Sequence, residues 1–354
     1  MSFTRTFSRF TSSANVLYTP SKRVVVLGSG WGGFNLATSF PVSSPSSYLN
    51  VISPSNHFTF TPLIPSTAVG TLEFRAIQEP VRTVPSVSQY YQAKCHNIDF
   101  EAQTVTCRGL WDDEVFTIAY DKLVLAQGVK TNTFNTPNVA TREGKEVFFL
   151  KNLHHARGIR NRTIEMFEVA ALPDTSDEER QRLLSFIIVG GGPTSVEYAS
   201  ELHDFLSEDL IKLYPDLSKY VKITLVEAGP ALLGPFEATL REYVGRLFTS
   251  RNIDVKVGTA VTAVESFTKQ GYKNKVTKAV LSDGEELEFG TMVWSAGLAP
   301  VVLTDQLGVE KNQQGRILTD KYLRVKGQEG EEEGGSEGQK AGAKRQQHIT
   351  HHYI

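Results

Sequence analysis

The chain has 354 residues, enough to bury the cores of two domains. A formal net charge of -2 and a pI near 6.5 give it no basic excess, which argues against nucleic acid as a partner. The mean hydropathy is -0.22 and no apolar run approaches the ~20 residues of a membrane-spanning helix, so any membrane contact is expected to be peripheral.

Cysteine usage argues against thiol chemistry. The sequence contains Cys95 and Cys107 only, and no C-x-x-C or C-x-x-x-x-C follows the first glycine motif. A dithiol of the disulfide-reductase type is therefore not expected, and the two thiols are interpreted as buried or idle. We also expect no metal site.

The N-terminal residues 1–20 have the composition of a targeting segment. They include Arg5 and Arg9, many Ser and Thr, and no acidic residue. This composition predicts a mitochondrial transit peptide. A disordered N-terminal tail is the alternative.

The first nucleotide-binding signal is the segment Val24–Gly33. Its apolar, β-branched run predicts a buried parallel strand, and it leads directly into G-x-G-x-x-G at Gly28, Gly30 and Gly33. Gly28 allows the tight turn, Gly30 lets the backbone approach a pyrophosphate, and Gly33 lets the helix pack closely on the strand. The phosphates would lie at the helix N-terminus, where free N–H groups and the helix dipole favour negative charge. A purely structural glycine turn is the alternative.

The next segments predict a second strand and a ligand wall. The strand is expected near Tyr48–Ile52, and Ser53 follows it where an acidic residue would hold an adenosine ribose. The stretch His57–Thr71 is too rich in Pro and Thr for a helix interior. Pro62 and Pro65 fix its backbone, and the side chains between them could form a wall for a flat apolar ligand. The alternatives are a turn cap at Ser53 and a rigid buried crossing over His57–Thr71.

Three further elements complete the first unit. Alternating apolar and polar residues over Cys95–Tyr120 predict a small antiparallel sheet. Tyr120–Gly128 predicts another buried strand that ends in a glycine turn. Phe148–Glu168 is then expected to form a charged amphipathic helix.

The same order of elements then returns. Phe186–Ser195 predicts a strand and a glycine turn, with Gly190 and Gly192 in the first two motif positions. Ser195 stands in place of the third glycine and is small enough for close packing. A helix over Val196–Leu206 follows.

The second unit adds an acidic residue that the first unit lacks. The strand Lys222–Val226 ends in Glu227, whose carboxylate would accept both ribose hydroxyls of an adenosine and repel a 2′-phosphate. Val255–Phe289 predicts a second small sheet, and Thr291–Gly297 repeats the strand and glycine turn of Leu123–Gly128.

Two such fingerprints, each followed at a similar interval by a small sheet and a strand–glycine turn, indicate a duplication. Two facing dinucleotide units suit a reaction in which a reduced nicotinamide hands hydride to a bound flavin. Glu227 assigns NADH to the second unit, which leaves FAD to the first. The predicted fold class is α/β, with two Rossmann-like dinucleotide-binding domains (FAD/NAD(P)-binding), each with a small antiparallel β insertion.

The motifs also resemble those of a known family, the fungal type II NADH dehydrogenases. These are the alternative, rotenone-insensitive mitochondrial NADH:ubiquinone oxidoreductases. The matching segments run from about residue 22 to residue 326 and are Val24–Gly33, Ser53-Pro54, Phe58–Gly70, Thr131–Phe134, Gly190–Ala199, Glu201–Phe205 and Val293–Gly297. Phe-Thr-Pro-Leu-Ile-Pro-Ser-Thr-Ala-Val-Gly and Gly-Gly-Pro-Thr-Ser-Val-Glu are the most specific of them.

The resemblance implies a flavoprotein that passes two electrons from NADH through FAD to ubiquinone without pumping protons. It implies a peripheral position on the mitochondrial inner membrane and allows a homodimer. Glu197 would lie near the nicotinamide–flavin contact as a candidate proton relay; the alternative is a helix N-terminal carboxylate. The residues expected to bind FAD or NADH are Gly28, Gly30, Gly33, Ser53, Thr61, Pro62, Gln127, Gly128, Gly190, Gly192, Glu227 and Gly297.

The pattern predicts four segments after the transit peptide. Residues 21–150 are expected to form the first part of the FAD-binding domain and 151–290 the NADH-binding domain; 291–326 return to the FAD-binding domain, and 327–354 form a low-complexity disordered tail. The resemblance stops near Lys326, so a C-terminal truncation is expected. The alternatives are a nucleotide-binding fragment with little or no quinone reductase activity, and another reductase with two dinucleotide sites. The Phe-Thr-Pro-Leu stretch argues against the latter.

Overall fold

A computed structural model describes residues 22–42, 47–270, 272, 275–326 and 349–351 of the chain. The predicted transit peptide, residues 1–20, lies outside the described residues. So does the predicted tail 327–354, apart from a three-residue strand at Ile349–His351.

The strands are β1 (Lys22–Leu27), β2 (Ser47–Ser53), β3 (His57–Thr59), β4 (Gln78–Pro80), β5 (Val87–Asp99), β6 (Thr104–Gly109), β7 (Val115–Ala119), β8 (Lys122–Leu125), β9 (Val129–Thr131), β10 (Val147–Phe149), β11 (Ser185–Val189), β12 (Lys222–Glu227), β13 (Ile253–Val257), β14 (Val261–Phe267), β15 (Val276–Leu281), β16 (Glu286–Phe289), β17 (Thr291–Trp294), β18 (Leu298–Pro300) and β19 (Ile349–His351). The helices are α1 (Trp31–Ser39), α2 (Ile64–Val69), α3 (Leu153–Ala170), α4 (Asp177–Leu183), α5 (Pro193–Asp204), α6 (Ile211–Leu213), α7 (Ala238–Ser250) and α8 (Val302–Gln306). A π-helical turn, Phe205–Leu210, joins α5 to α6.

The first sheet has the strand order β19-β8-β1-β2-β5-β6-β7. Strand β1 lies inside it between parallel neighbours, which is why its sequence is an unbroken apolar run: Val25 and Val26 have no exposed surface. Strand β5 pairs in parallel with β2 as far as Gln92 and antiparallel with β6 from Ala93 onward. The predicted small antiparallel sheet is therefore an extension of the first sheet.

The second sheet has the order β10-β17-β11-β12-β13 and is parallel throughout. The run β17-β11-β12-β13 matches β8-β1-β2-β5 strand for strand, as expected of a duplicated doubly wound fold. The separate antiparallel sheet β14-β15-β16 is the second small insertion. Val255, which the sequence analysis put in that insertion, lies in β13 of the parallel sheet.

The second sheet also takes residues that were predicted for its neighbour. Strands β10 and β17 pair with each other, so residues 147–149 and 291–294 belong to the second unit rather than to the segments 21–150 and 291–326. The helix predicted over Phe148–Glu168 is shorter at its start for the same reason. Phe148 and Phe149 are buried in β10, and α3 begins only after Asn152, whose side chain accepts a hydrogen bond from the backbone N–H of His155.

The stretch His57–Thr71 contains a helix that was not predicted. Pro62 lies in the 3₁₀ turn Thr61–Leu63, and Pro65 occupies the first turn of α2, where a missing backbone N–H costs nothing. Gly70 ends α2 with φ +91°, a left-handed cap that glycine adopts without strain. The prolines therefore start this helix rather than exclude it.

Helix α2 packs into the core of the second unit. Ile64, Ala68 and Val69 join one apolar cluster with α3 and α5, whereas Val25 and Leu27 of β1 lie in another cluster with residues 303–325. After β18, Leu303, Leu307, Ile317 and Val325 thus pack with the first sheet. Among the described residues, no helix combines the length and the apolar character needed to cross a membrane.

Candidate nucleotide-binding sites

The three glycines of the first turn lie in three different surroundings. Gly28 has φ +112° and donates its N–H to the carbonyl of Ile52 at 2.8 Å. A Cβ on Gly28 would collide with the backbone of Ala126, and a Cβ on Gly33 with the backbone of Gly28. A Cβ on Gly30 would meet nothing within 4 Å among the residues that the structure describes. The protein itself needs Gly28 and Gly33, whereas the space beside Gly30, at the N-terminus of α1, is left open.

The second turn repeats this geometry. Gly190 has φ +117° and donates its N–H to the carbonyl of Val226 at 2.9 Å, and a Cβ on Gly192 would meet nothing within 4 Å. Ser195, in the third position, is fully buried and shares a hydrogen bond of 2.7 Å with the hydroxyl of Ser295. A hydroxymethyl group is thus accommodated where the first unit requires glycine.

A cavity of about 510 Å³ lies beside the first turn. This volume is typical of a small-molecule site. Its wall includes residues 28–32, 53–55, 93–95, 126–130, 151–152 and 301–303, together with Thr61. Of the predicted FAD residues, Gly28, Gly30, Ser53, Thr61, Gln127 and Gly128 line it, whereas Gly33 and Pro62 do not.

Ser53 stabilises the turn that follows β2, which is the alternative role that the sequence analysis gave it. It also borders the cavity. Its buried hydroxyl shares a hydrogen bond of 2.8 Å with that of Ser29 and accepts the backbone N–H of Ser55 at 3.2 Å. These bonds fix the turn that follows β2. No acidic side chain occupies this position, as the sequence indicated.

The predicted ligand wall is held to the glycine turn by Trp31, which the sequence analysis passed over inside the motif. The indole Nε1 of Trp31 donates to Thr61 Oγ1 at 2.9 Å. The rings of Phe58 and Phe60 each lie 5.1 Å from that of Trp31. The wall and the phosphate turn are therefore one connected surface.

Two polar side chains of the cavity wall, those of Gln127 and Lys151, could contact a ligand. The Gln127 Nε2 is buried without a hydrogen-bond partner among the residues that the structure describes, while its Oε1 accepts from Thr304 at 3.5 Å. A buried amide that lacks a partner is costly, and a ligand acceptor would remove that cost. Lys151 comes from the end of β10, and burial lowers the pKa of its ammonium group. Nothing in the sequence around Lys151 pointed to this position.

Glu227 lies against the second glycine turn. It is half-buried, and its Oε1 accepts the backbone N–H of Gly229. A Cβ on Gly191 would come 2.7 Å from the Cγ of Glu227, so the carboxylate and the turn are in direct contact. This is where an acidic residue meets an adenosine ribose in dinucleotide-binding folds.

Gly297 and Glu197 lie apart from the cavity wall. Gly297 has φ +69°, close to the +67° of Gly128, and a Cβ there would come 2.5 Å from Phe134 Cζ. Glu197 is an exposed residue of α5, and partial burial, followed by the charge of Glu201, raises the pKa of its carboxyl group.

The two cysteines face each other across a strand pair, and Cys95 also lines the cavity beside the first glycine turn. Cys95 and Cys107 are register partners across β5 and β6, and both are free thiols. Within the described ranges, no group of three or more His, Cys, Asp or Glu could hold a metal ion.

Comparisons with known proteins agree with this geometry. Residues 22–330 match the pyridine nucleotide-disulphide oxidoreductase family. The mitochondrial external alternative NAD(P)H-ubiquinone oxidoreductase B1 of Solanum tuberosum is 41% identical over 322 residues, which is 86% of this chain and 53% of the relative. The mitochondrial external NADH-ubiquinone oxidoreductase 2 of Saccharomyces cerevisiae is 38% identical over 310 residues, 85% of this chain and 55% of the relative.

The structure of NDH2 from Plasmodium falciparum in complex with NADH superimposes with a TM-score of 0.77 at 30% identity, covering 87% of this chain and 62% of that one. The chain thus spans about half the length of the two curated relatives. Because the family match over residues 22–330 includes both glycine turns and the strands β1 to β18, the chain belongs to the pyridine nucleotide-disulphide oxidoreductase family.

Proposed function

We propose that this chain binds FAD in its first unit and NADH in its second, and that it transfers hydride from NADH to FAD and electrons onward to ubiquinone. The observation that carries the proposal is the pair of open glycines, Gly30 and Gly192. Each lies at the N-terminus of a helix, two residues after a glycine of positive φ, and among the described residues nothing lies within 4 Å of an added Cβ. Helix N-termini with such space are suited to pyrophosphate.

The residues around the first cavity suit a flavin nucleotide. The N-terminus of α1 offers N–H donors to the pyrophosphate, and Thr61 and Trp31 line the cavity beside it. The amide nitrogen of Gln127, which has no partner among the described residues, offers a further donor. The half-buried ammonium of Lys151 offers positive charge to the same cavity. When bound, FAD supplies the hydride acceptor and returns the electrons to a second substrate.

Hydride transfer itself needs no acid or base from the protein, so positioning is the main task of the chain. Glu227 would accept the hydroxyls of the NADH adenosine ribose and repel the 2′-phosphate of NADPH. From the motif resemblance, Glu197 would act as a proton relay to the quinone, and the raised pKa of its carboxyl group is consistent with that role.

Ubiquinone as acceptor, and a peripheral site on the mitochondrial inner membrane, are proposed from the printed names of the relatives and from the motif resemblance. The matching strand orders of the two sheets support the first part of this reaction, in which NADH would reduce FAD. A homodimer stays a prediction from the resemblance.

The test uses the purified chain. We expect a visible flavin spectrum, bleaching of that spectrum by NADH under anaerobic conditions, and NADH oxidation on addition of a soluble ubiquinone analogue. A protein that binds NADH but neither carries nor takes up FAD would contradict the proposal. Flavin reduction without quinone turnover would favour the alternative of a nucleotide-binding fragment with little quinone reductase activity.

A further inference from the structure

The two units are joined by a polar contact that the proposed reaction has not used. On α5, Glu201 accepts a hydrogen bond from Ser66 Oγ at its Oε1 and from Thr71 Oγ1 at its Oε2, both at 2.7 Å. Ser66 lies within α2, and Thr71 lies just beyond the left-handed cap of α2 at Gly70. One carboxylate therefore holds two points of the predicted ligand-wall segment, which lies more than a hundred residues away in the chain.

The position of this contact relates it to both proposed sites. Thr61–Leu63 of the wall precede α2 directly, and Thr61 borders the cavity. On the other side, α5 begins at Pro193, so Glu201 lies about 12 Å along the helix from the proposed pyrophosphate end. The contact thus links the segment that would support the flavin to the helix that would hold the nicotinamide nucleotide.

Apolar packing alone does not determine this alignment. Ile64, Ala68 and Val69 of α2 pack against α3 and α5, but such packing is non-directional and tolerates small shifts. Hydroxyl-to-carboxylate bonds of 2.7 Å are charge-assisted and directional. Two of them, one within α2 and one beyond its cap, oppose both sliding and rotation of α2 on α5.

We propose that Glu201 is a positioning residue for hydride transfer, which sets the alignment of the flavin wall against the nicotinamide-binding helix through Ser66 and Thr71. This inference rests on the proposed function. A misplacement near 1 Å can lower a transfer rate on the order of 100-fold, so a side-chain tether at this junction is sufficient to matter.

The experiment compares Glu201→Ala with Glu201→Gln in the full chain loaded with FAD, and uses Glu208→Ala, an exposed glutamate beyond α5, as the control. The limiting rate of flavin reduction by NADH is measured by stopped flow, together with the NADH dissociation constant. Because Ser66 and Thr71 can donate to the amide oxygen and accept from the amide nitrogen, Gln keeps both contacts. We expect Glu201→Ala to lower the limiting rate about 10-fold to 100-fold with little change in NADH affinity, and Gln to restore it to within about 3-fold.

Two further measurements make the result specific. Hydrogen exchange of a peptide that covers residues 64–72 should be faster in Glu201→Ala than in the wild type and unchanged in Glu201→Gln. The double variant Ser66→Ala/Thr71→Val should reproduce the loss, and adding Glu201→Ala to it should lower the rate no further. A wild-type limiting rate in Glu201→Ala, or a Gln variant as slow as the Ala variant, overturns the inference. A wild-type protein whose flavin NADH does not reduce overturns the proposed function instead, and the exchange data then still test the tether.

Discussion

The two alanine substitutions Gly30→Ala and Gly33→Ala should affect different properties of the protein, although they lie three positions apart in one turn. At Gly30, φ is -77° and ψ is -162°, an extended backbone that alanine adopts freely, and the new methyl group meets nothing within 4 Å. The folded chain should therefore be unaffected or stabilised by about 0.4–1 kcal/mol, because alanine restricts the unfolded chain more than glycine does. At Gly33 the new Cβ would lie 2.9 Å from the carbonyl carbon of Gly28 and closer still to its oxygen.

The cost at Gly33 follows from what must move. Real Cβ atoms essentially never come within 3.0 Å of another heavy atom, and here the neighbour is backbone rather than a flexible side chain. Helix α1 must therefore move away from β1, which places the cost at or above the upper end of the 1–3 kcal/mol typical of overpacking. For a unit of this size, about 3 kcal/mol lowers the melting temperature by roughly 6–12 °C.

Gly30→Ala should weaken FAD binding without lowering the stability of the folded chain. A methyl group on Gly30 occupies the space through which the pyrophosphate would approach the first N–H groups of α1. Loss of one charge-assisted hydrogen bond, about 1.5–3 kcal/mol, weakens binding roughly 10-fold to 150-fold. The assay is thermal unfolding of the flavin-free protein, followed by FAD titration monitored through flavin fluorescence. Gly192→Ala is the matched control, because it should weaken NADH binding and leave FAD binding unchanged. A Gly30→Ala protein as unstable as Gly33→Ala, or one that binds FAD normally, would refute the reasoning.

The remaining predictions concern charge. Glu227→Gln removes the repulsion of a 2′-phosphate, so the ratio of kcat/KM for NADH over NADPH should fall about 10-fold or more. An unchanged ratio would show that the assignment of NADH to the second unit is wrong. Lys151→Met removes a cation from the cavity, so the midpoint potential of bound FAD should fall by about 30 mV. For a two-electron couple this shift is a tenfold change in the equilibrium constant of reduction. Lys130→Met, an exposed lysine of the same wall, should shift the potential less, and equal shifts would contradict the assignment. Burial, and then the charge of Glu201, raise the pKa of Glu197. Because Glu201→Gln removes that charge, the pKa of Glu197 should fall. If Glu197 donates a proton, quinone reduction slows as pH rises through its pKa, and in the variant this decline should begin at lower pH; a superimposable pH profile would remove Glu197 from that role.

Much of the fold follows from short-range rules that act within one segment. The β-branched run at Val24–Leu27 has a single good solution, a strand buried on both faces, because no other element hides it completely. A side chain at Gly28 or Gly33 would collide with neighbouring backbone, which is the physical reason for the spacing of the glycines. The strand, the turn and the helix could therefore be predicted together. The second copy at Gly190 obeys the same rules, and the matching strand orders of the two sheets confirm the duplication.

Prediction was less accurate where a general rule about a residue type did not hold at the position that the residue occupies. Pro65 argued against a helix over the wall segment, yet a proline in the first turn removes only an N–H that has no partner there. Phe148 and Phe149 suited one face of a helix, but the edge of the second parallel sheet offered complete burial to the strand that contains them. In both places the competing structures differ by little locally, and the tertiary environment decided between them.

The contacts that join the two units follow from no local rule. In the sequence, Lys151 and Glu201 are ordinary residues of two predicted helices, and each is brought next to a segment far away along the chain only by the fold. Two dinucleotide folds can each be complete and still be unproductive, because hydride transfer depends on a near-attack geometry at their junction. In the proposed reaction the glycine turns would bind the two nucleotides, and the contacts of Glu201 with Ser66 and Thr71 would determine whether the nucleotides meet. This is why substitutions at the junction should lower the transfer rate without lowering the affinity for either nucleotide.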